Sequence, residues 1–308
     1  MSRTTANLLL LLAGAIWGMG FVAQQTAMDD IGPMLFIASR FLLAGFAVLP
    51  FAMAELKRAD GPSYAAAVKR HKTGFFWVGL AFFLGMAFQQ VGLKGTSVTN
   101  AGFLTALYVI MVPLIMVLVL RVKQPFVIWP ASLLALVGIY LLSGGDLGAL
   151  NSGDMLIIIC ALFWAGHVIL TGRIGQQTGL PVTMATTQFF VTSILAFICY
   201  LIFVPAGLGE TIPTTDQLLG ALPEIIYAGT IAGGLGFTLQ AVGQRYTSES
   251  AAAVLISTES LFAALFGAIF LSERLATLGY LGCALIFIAI LLIELMPRQK
   301  QASQSEAT

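Results

Sequence analysis

The sequence predicts an all-α integral membrane fold, ten transmembrane helices arranged as two inverted-topology five-helix repeats, and three observations predict it. Of 308 residues, 58% are hydrophobic and only 9% are charged, with a mean hydropathy of +0.94; an ordinary soluble domain is roughly a quarter charged. One protein core cannot hide that much apolar surface, so lipid must be its solvent and a partner. Ten apolar runs each approach the ~20 residues that cross a ~30 Å hydrocarbon layer. Finally, Gln89-Gln90-Val91-Gly92-Leu93-Lys94-Gly95-Thr96-Ser97 returns 151 positions later as Gln240-Ala241-Val242-Gly243-Gln244-Arg245-Tyr246-Thr247-Ser248. Gln, Val, Gly, Thr and Ser keep their spacing, and a base answers a base. A repeat at half the chain length marks two related halves.

The spans follow in chain order. The first, Asn7–Ala27, is long in its apolar part and lacks a small-x-small cleavage site, so it reads as a retained helix and not a signal peptide. Asp29-Asp30-Ile31-Gly32-Pro33 separates it from the second, Pro33–Ala54. In the long segment Glu55–Thr73, Val68-Lys69-Arg70-His71-Lys72 suits either a short helix on an anionic membrane face or a solvated basic loop. The third and fourth spans, Gly74–Leu93 and Val98–Leu120, flank the first copy of the repeat. Pro113 should bend the fourth by removing a backbone hydrogen bond. Pro125–Ser143 is the fifth, closed by Ser143-Gly144-Gly145-Asp146. Ser152–Gly172 and Pro181–Val204 open the second half, and the acidic stretch Pro205–Gln217 is structureless in pattern. Leu218–Val242 carries Gly229, Gly233, Gly234 and Gly236, which point to close packing or a bend. Ser250–Leu271 and Leu275–Leu295 complete the ten. Residues 1–150 and 151–295 are thus the two halves, and 296–308 a polar, disordered cytoplasmic tail. Cys160, Cys199 and Cys283 lie in apolar runs and read as small buried hydrophobes.

Charge gives orientation. With the N-terminus inside, twelve of the 15 Lys and Arg residues fall in cytoplasmic segments, only Lys94 and Arg274 fall outside, and Arg40 lies within a helix. The positive-inside rule therefore places both termini in the cytoplasm, the membrane being the cell inner (plasma) membrane. Five crossings per half is odd, so the halves are inverted. Trp17 and Trp164, each halfway through the first span of its half, support the repeat at an offset of 147, as do Arg40 and Gln188 in the second and seventh spans.

Polar residues within spans are costly and mark function by default. Glu259, mid-span, needs a partner or a proton; it suits a substrate ammonium, a proton-coupling role, or a hydrogen bond to a neighbouring helix. Arg40 offers a planar fork to a substrate carboxylate, or snorkels outward to Asp29 or Asp30. His167 lies one turn beyond Trp164 on the same helix face, as a pocket wall or a titrating group. Trp17, Tyr108 and Trp164 suit stacking on an aromatic or apolar side chain, or packing. Gln89, Gln188 and Gln240 are pocket or vestibule candidates; Gln89 and Gln240 either line two vestibules or fasten helices together. Gly14 and Gly18 form a small-xxx-small face. No G-x-x-x-x-G-K-[ST], H-E-x-x-H, nucleophile elbow or basic–aromatic patch occurs, so ATP hydrolysis, an ATPase subunit, metal, cofactor, enzymatic and nucleic-acid functions have no support.

An inverted repeat of helices around a midplane site is the plan of secondary transporters, whose halves rock to expose the site to alternate sides. Ala15-Ile16-Trp17-Gly18, the run Thr99-Asn100-Ala101-Gly102-Phe103-Leu104-Thr105 with Val112-Pro113-Leu114, and Thr258-Glu259-Ser260-Leu261-Phe262 with Leu271-Ser272-Glu273-Arg274 resemble the drug/metabolite transporter superfamily. Within it the chain resembles the EamA-type exporters and, among them, the YddG-like amino-acid exporters, over about residues 7–295. It departs from the pattern at Glu259-Ser260, where Glu-Pro is frequent, and at Val122-Lys123, where Gly-Glu is; no proline enforces a bend in the ninth span. The resemblance implies a small-molecule substrate, amino acids or similar metabolites. A lipophilic cation or drug is the alternative, since an acid among aromatics suits one. A sugar-phosphate or nucleotide-sugar exchanger calls for more intramembrane cations, and a non-transporting sensor for an output domain.

Overall fold

The computed structural model describes residues 1–58, 63–96, 98–142, 150–270 and 277–295. The helices are α1 (Arg3–Thr26), α2 (Pro33–Arg58), α3 (Tyr64–Gly92), α4 (Val98–Thr105), α5 (Tyr108–Leu118), α6 (Ile128–Leu142), α7 (Ser152–Thr178) and α8 (Pro181–Ala206). Then come α9 (Thr215–Gly220), α10 (Leu222–Ile226), a π-helical stretch (Tyr227–Gly236), α11 (Phe237–Gln244), α12 (Glu249–Ile256), α13 (Glu259–Phe270) and α14 (Thr277–Glu294). Among the described residues nine helical stretches are long and apolar enough to cross a membrane, and the shorter Ile128–Leu141 takes the place of the fifth of ten spans. Their outer faces carry exposed Phe46, Phe51, Trp77, Leu118, Ile202 and Phe287, a surface suited to lipid and not to water.

Sequence explains the helix ends. Ser2 caps α1 by accepting from Thr5 N at 3.1 Å, and Asn151 with Asp154 forms a capping box on α7. Pro33 and Pro181 start α2 and α8, where a missing N–H has no consequence. The predicted loop Glu55–Thr73 is shorter than expected: α2 continues to Arg58 and α3 begins at Tyr64, bending at His71 before the span proper. The stretch Pro205–Gln217 also has order, because Thr214 and Gln217 cap α9. Residues 143–149 and the tail 296–308 lie outside the described residues.

Packing follows a two-fold relation between the halves. α2 packs on α8 and α6 on α14; α3 packs on α7 as α1 packs on the span α10–α11; α1 packs on α12 and α13 as α7 packs on α4 and α5. The repeated stretch clasps the first helix of the opposite half at each face. Thr96 Oγ1 donates to Asp154 Oδ1 at 2.5 Å, and Thr247 Oγ1 donates to Asn7 Oδ1 at 2.8 Å. A Cβ on Gly92 would come within 2.8 Å of Ile157, and one on Gly243 within 2.9 Å of Leu10. Only glycine permits that approach. Reciprocal carboxylates tie the second helices. Glu55, ending α2, accepts from Val182 N and Thr183 N at 3.1 and 2.8 Å at the start of α8. Glu210, following α8, accepts from Met34 N at 2.6 Å at the start of α2.

Candidate functional site

The fourth and ninth spans are each broken midway, and the breaks match bond for bond. Ala106 N to Gly102 O, Leu107 N to Leu104 O, Val109 N to Ala106 O and Met111 N to Leu107 O recur as Ser257 N to Ala253 O, Thr258 N to Leu255 O, Ser260 N to Ser257 O and Phe262 N to Thr258 O. Bonds to the third residue back tighten both turns. The expected bend near Pro113 therefore lies upstream of it, and the ninth span breaks without a proline. There the Ser257 and Thr258 hydroxyls donate to Val254 O and Leu255 O, both at 2.8 Å, competing with the helix for its own carbonyls.

The first residues after the breaks are Tyr108 and Glu259, equivalent positions of the two halves. They meet: Tyr108 Oη donates to Glu259 Oε1 at 3.3 Å. Both line a central cavity, together with Trp17, Arg40, Gln89, Trp164 and Gln240. That mix of aromatic wall with a few convergent polar groups suits a small molecule.

Arg40 is 3% exposed. It does not snorkel to Asp29 or Asp30. Its Nη2 donates to Gln24 Oε1 at 3.4 Å and to the Met86 sulfur at 2.9 Å, with Gln90 Oε1 at 3.5 Å, while Nε has no partner. The guanidinium carbon lies 4.7 Å from the ring centroids of both Phe36 and Phe41, so cation–π contact supplies part of its solvation. Among the described residues no carboxylate pairs with it. Glu259, 7% exposed, has Tyr108 as its described hydrogen-bond partner.

His167 and Gln188 do not line this cavity. His167 Nε2 lies 2.9 Å from Gln188 Oε1 and 3.1 Å from Thr171 Oγ1, and its ring packs at 5.0 Å from Phe82 and 5.5 Å from Trp164. The repeat explains why. Position 20 of the first half matches 167, and 233 matches 82: Gly20 and Gly233 line the cavity where the other side is filled by His167 and Phe82. Phe41 and its equivalent Phe189 stack at 5.9 Å between them, and Phe82 packs on Phe237 at 4.5 Å. The bundle is hollow on the Arg40 side and plugged by aromatics on the His167 side. Sequence reading missed Gln24, Met86, Thr105 and Phe237 as lining residues. Gln24 was accessible through its match with Thr171 at the Trp17/Trp164 offset; Phe237, in an all-apolar run, gave no signal.

Known proteins give this geometry a context. The chain matches the model of the EamA-like transporter family over residues 4–144 and again over 151–295. It is similar to an uncharacterized transporter of Archaeoglobus fulgidus, 35% identical over 298 residues, covering 96% of this chain and 87% of the relative. The uncharacterized transporter YwfM of Bacillus subtilis is 25% identical over 323 residues, covering 99% of each chain. A crystal structure at 17% identity shares the fold with a TM-score of 0.75, covering 97% of this chain and 100% of the other. With two helical repeats packed about a two-fold relation, each matched by the same family model, the chain belongs to the EamA-like transporter family of the drug/metabolite transporter superfamily.

Proposed function

We propose that this protein is a secondary transporter exporting amino acids, aromatic ones included, or related small metabolites across the inner membrane by alternating access. One observation carries the reading: a buried guanidinium that no described carboxylate neutralises and a buried carboxyl group from the other half open onto one cavity. An unpaired ion out of water costs several kcal/mol, of order 3–5 when its partner is missing. A zwitterion answers both ends at once, its carboxylate on the fork of Arg40 and its ammonium on Glu259 beside Tyr108. Trp17 and Trp164 then wall the substrate side chain. Unneutralised Arg40 speaks against lipophilic cations. A phosphate head would call for more cations than this one.

The equivalent halves supply the mechanism. Exchange of conformations between the two equivalent halves would expose the central cavity, beside Arg40, to alternate sides of the membrane. Lysine and arginine placement supports cytoplasmic termini, with Arg40 toward the outer face and His167 toward the inner. Labelling of cysteines placed at Lys94 and Arg245 from each side tests this orientation; modification of both from the same side sinks it. Export rests on the likeness to exporters. Purified protein in liposomes is expected to exchange labelled amino acids across the membrane, driven by the small-molecule gradient alone or with protons, and Glu259→Gln to slow that exchange at least tenfold, about 1.4 kcal/mol. Absence of amino-acid counterflow in the wild type overturns the reading, and normal flux in the variant removes Glu259 from it.

A further inference from the structure

The two cavity glutamines, Gln89 and Gln240, occupy equivalent positions, yet only one has a described hydrogen-bond partner. Trp164 Nε1 donates to Gln89 Oε1 at 2.8 Å. The equivalent indole, Trp17, approaches the opposite half in the same way: Trp164 packs over Gly85 and Trp17 over the matching Gly236, where a Cβ would come within 3.2 and 2.6 Å of the rings. Its hydrogen bond goes elsewhere. The eighth span winds as a π-helix over Tyr227–Gly236, while α3 is α-helical at the matching positions, and Trp17 Nε1 donates at 2.9 Å to Ala232 O within that stretch. Gln240 is left 1% exposed, lining the cavity, its Oε1 buried without a partner.

A buried acceptor without a donor is a desolvation loss that proteins seldom keep. Here the missing donor belongs in the cavity. We infer that Gln240 is a specificity-determining residue: its side-chain carbonyl accepts an N–H from the substrate ammonium, so the site selects a carboxylate-bearing primary or secondary amine over a quaternary one. This rests on the zwitterion reading above. Glu259 answers the positive charge of either ammonium; Gln240 answers only one that still carries a proton. Gln89, occupied by Trp164, has a structural role.

The test compares Gln240→Leu with Gln89→Leu in the full-length protein. In detergent without ligand, Gln89→Leu strands the Trp164 indole N–H and lowers the melting temperature by about 2–4 °C. Gln240→Leu removes an orphan acceptor and leaves it unchanged or higher. An equal drop in both variants means that Gln240 has a protein partner and overturns the inference. In liposomes, counterflow of a labelled amino acid is competed by the unlabelled amino acid and by its N,N,N-trimethyl betaine. Loss of a hydrogen bond to a charged group weakens competition by the free amino acid about 10- to 100-fold in Gln240→Leu, with the betaine changed less than about threefold. If both competitors weaken by the same factor, Gln240 acts only through structure and the inference falls while the zwitterion reading stands. If the wild type carries no amino acid, both fall.

Discussion

Two corners of the bundle, built on one backbone plan, differ in what fills them. At the first, Arg40 reaches Gln24 on α1 and Gln90 on α3, beside the cavity-lining Gly20. At the second, the equivalent Gln188 reaches His167 on α7, Thr171 matches Gln24, and Phe82 takes the space that Gly233 leaves open. One corner holds a guanidinium and is hollow; the other holds Gln188 bonded to His167 and is packed with aromatics, with His167 Nδ1 left without a partner. A protein assembled from two like halves thus needs side chains, not topology, to set where its site lies.

The largest effect expected is on Arg40. Arg40→Met should abolish counterflow of carboxylate substrates, a loss of at least ~100-fold, since truncating one partner of a buried charge pair costs about 2–5 kcal/mol. Gln188→Met, at the matching place, should change transport less than about threefold. Equal losses would mean that the two corners contribute alike and that the charge is not what binds. The stability of Arg40→Met should stay level or rise, because an isolated buried cation leaves with the side chain.

The second comparison concerns volume. Gly20→Leu places a side chain in the hollow, where a Cβ would meet only Ala232 Cβ at 3.3 Å. It should abolish substrate binding while holding or raising the melting temperature, with about 0.8 kcal/mol gained from helix propensity alone. His167→Ala at the equivalent position does the reverse, opening a void among Phe82, Trp164 and Phe237 and destabilising by about 2–4 kcal/mol. Thermal unfolding with and without substrate separates the two. A stable His167→Ala would show that the plugged side is not close-packed.

Much of this was legible in the chain. Hydropathy gave the spans, and the offset of the repeated stretch gave two related halves; that its Thr96 and Thr247 bond the first helix of the opposite half came from the structure. The offset also held more than its polar marks suggested: Glu259, which has no like-for-like counterpart in the first half, is matched in position by Tyr108, its hydrogen-bond partner. What escaped was geometry that residue types do not encode. The turns after Thr105 and Ile256 share one hydrogen-bond pattern, yet only one has a proline nearby. The π-helical stretch needed four glycines in context, and its consequence, a diverted indole, depends on a shift of about one residue in register. Nor could sequence tell that Arg40 turns inward, because its partners Gln24, Met86 and Gln90 are uncharged side chains on other helices.

The smallest effect contrasts the two reciprocal caps. Glu55 at the start of α8 holds three donors, the third being Thr183 Oγ1 at 2.7 Å. Glu210 at the start of α2 is 5% exposed and leaves Oε2 buried without a partner. Burial raises the Glu210 pKa above its ordinary value of 4.5, outweighing the Met34 and Leu35 amides and the nearby Lys94, which lower it. The sign follows: between 4.5 and the raised folded-state value, the folded protein holds a proton that the unfolded chain has lost, so stability falls as pH rises through that window. Glu210→Gln removes this titration. Melting of the wild type in detergent, followed upward from pH 4.5, should therefore decline relative to Glu210→Gln. A wild type that gains stability against Glu210→Gln as pH rises would mean that the capped amides and Lys94 outweigh burial at this end.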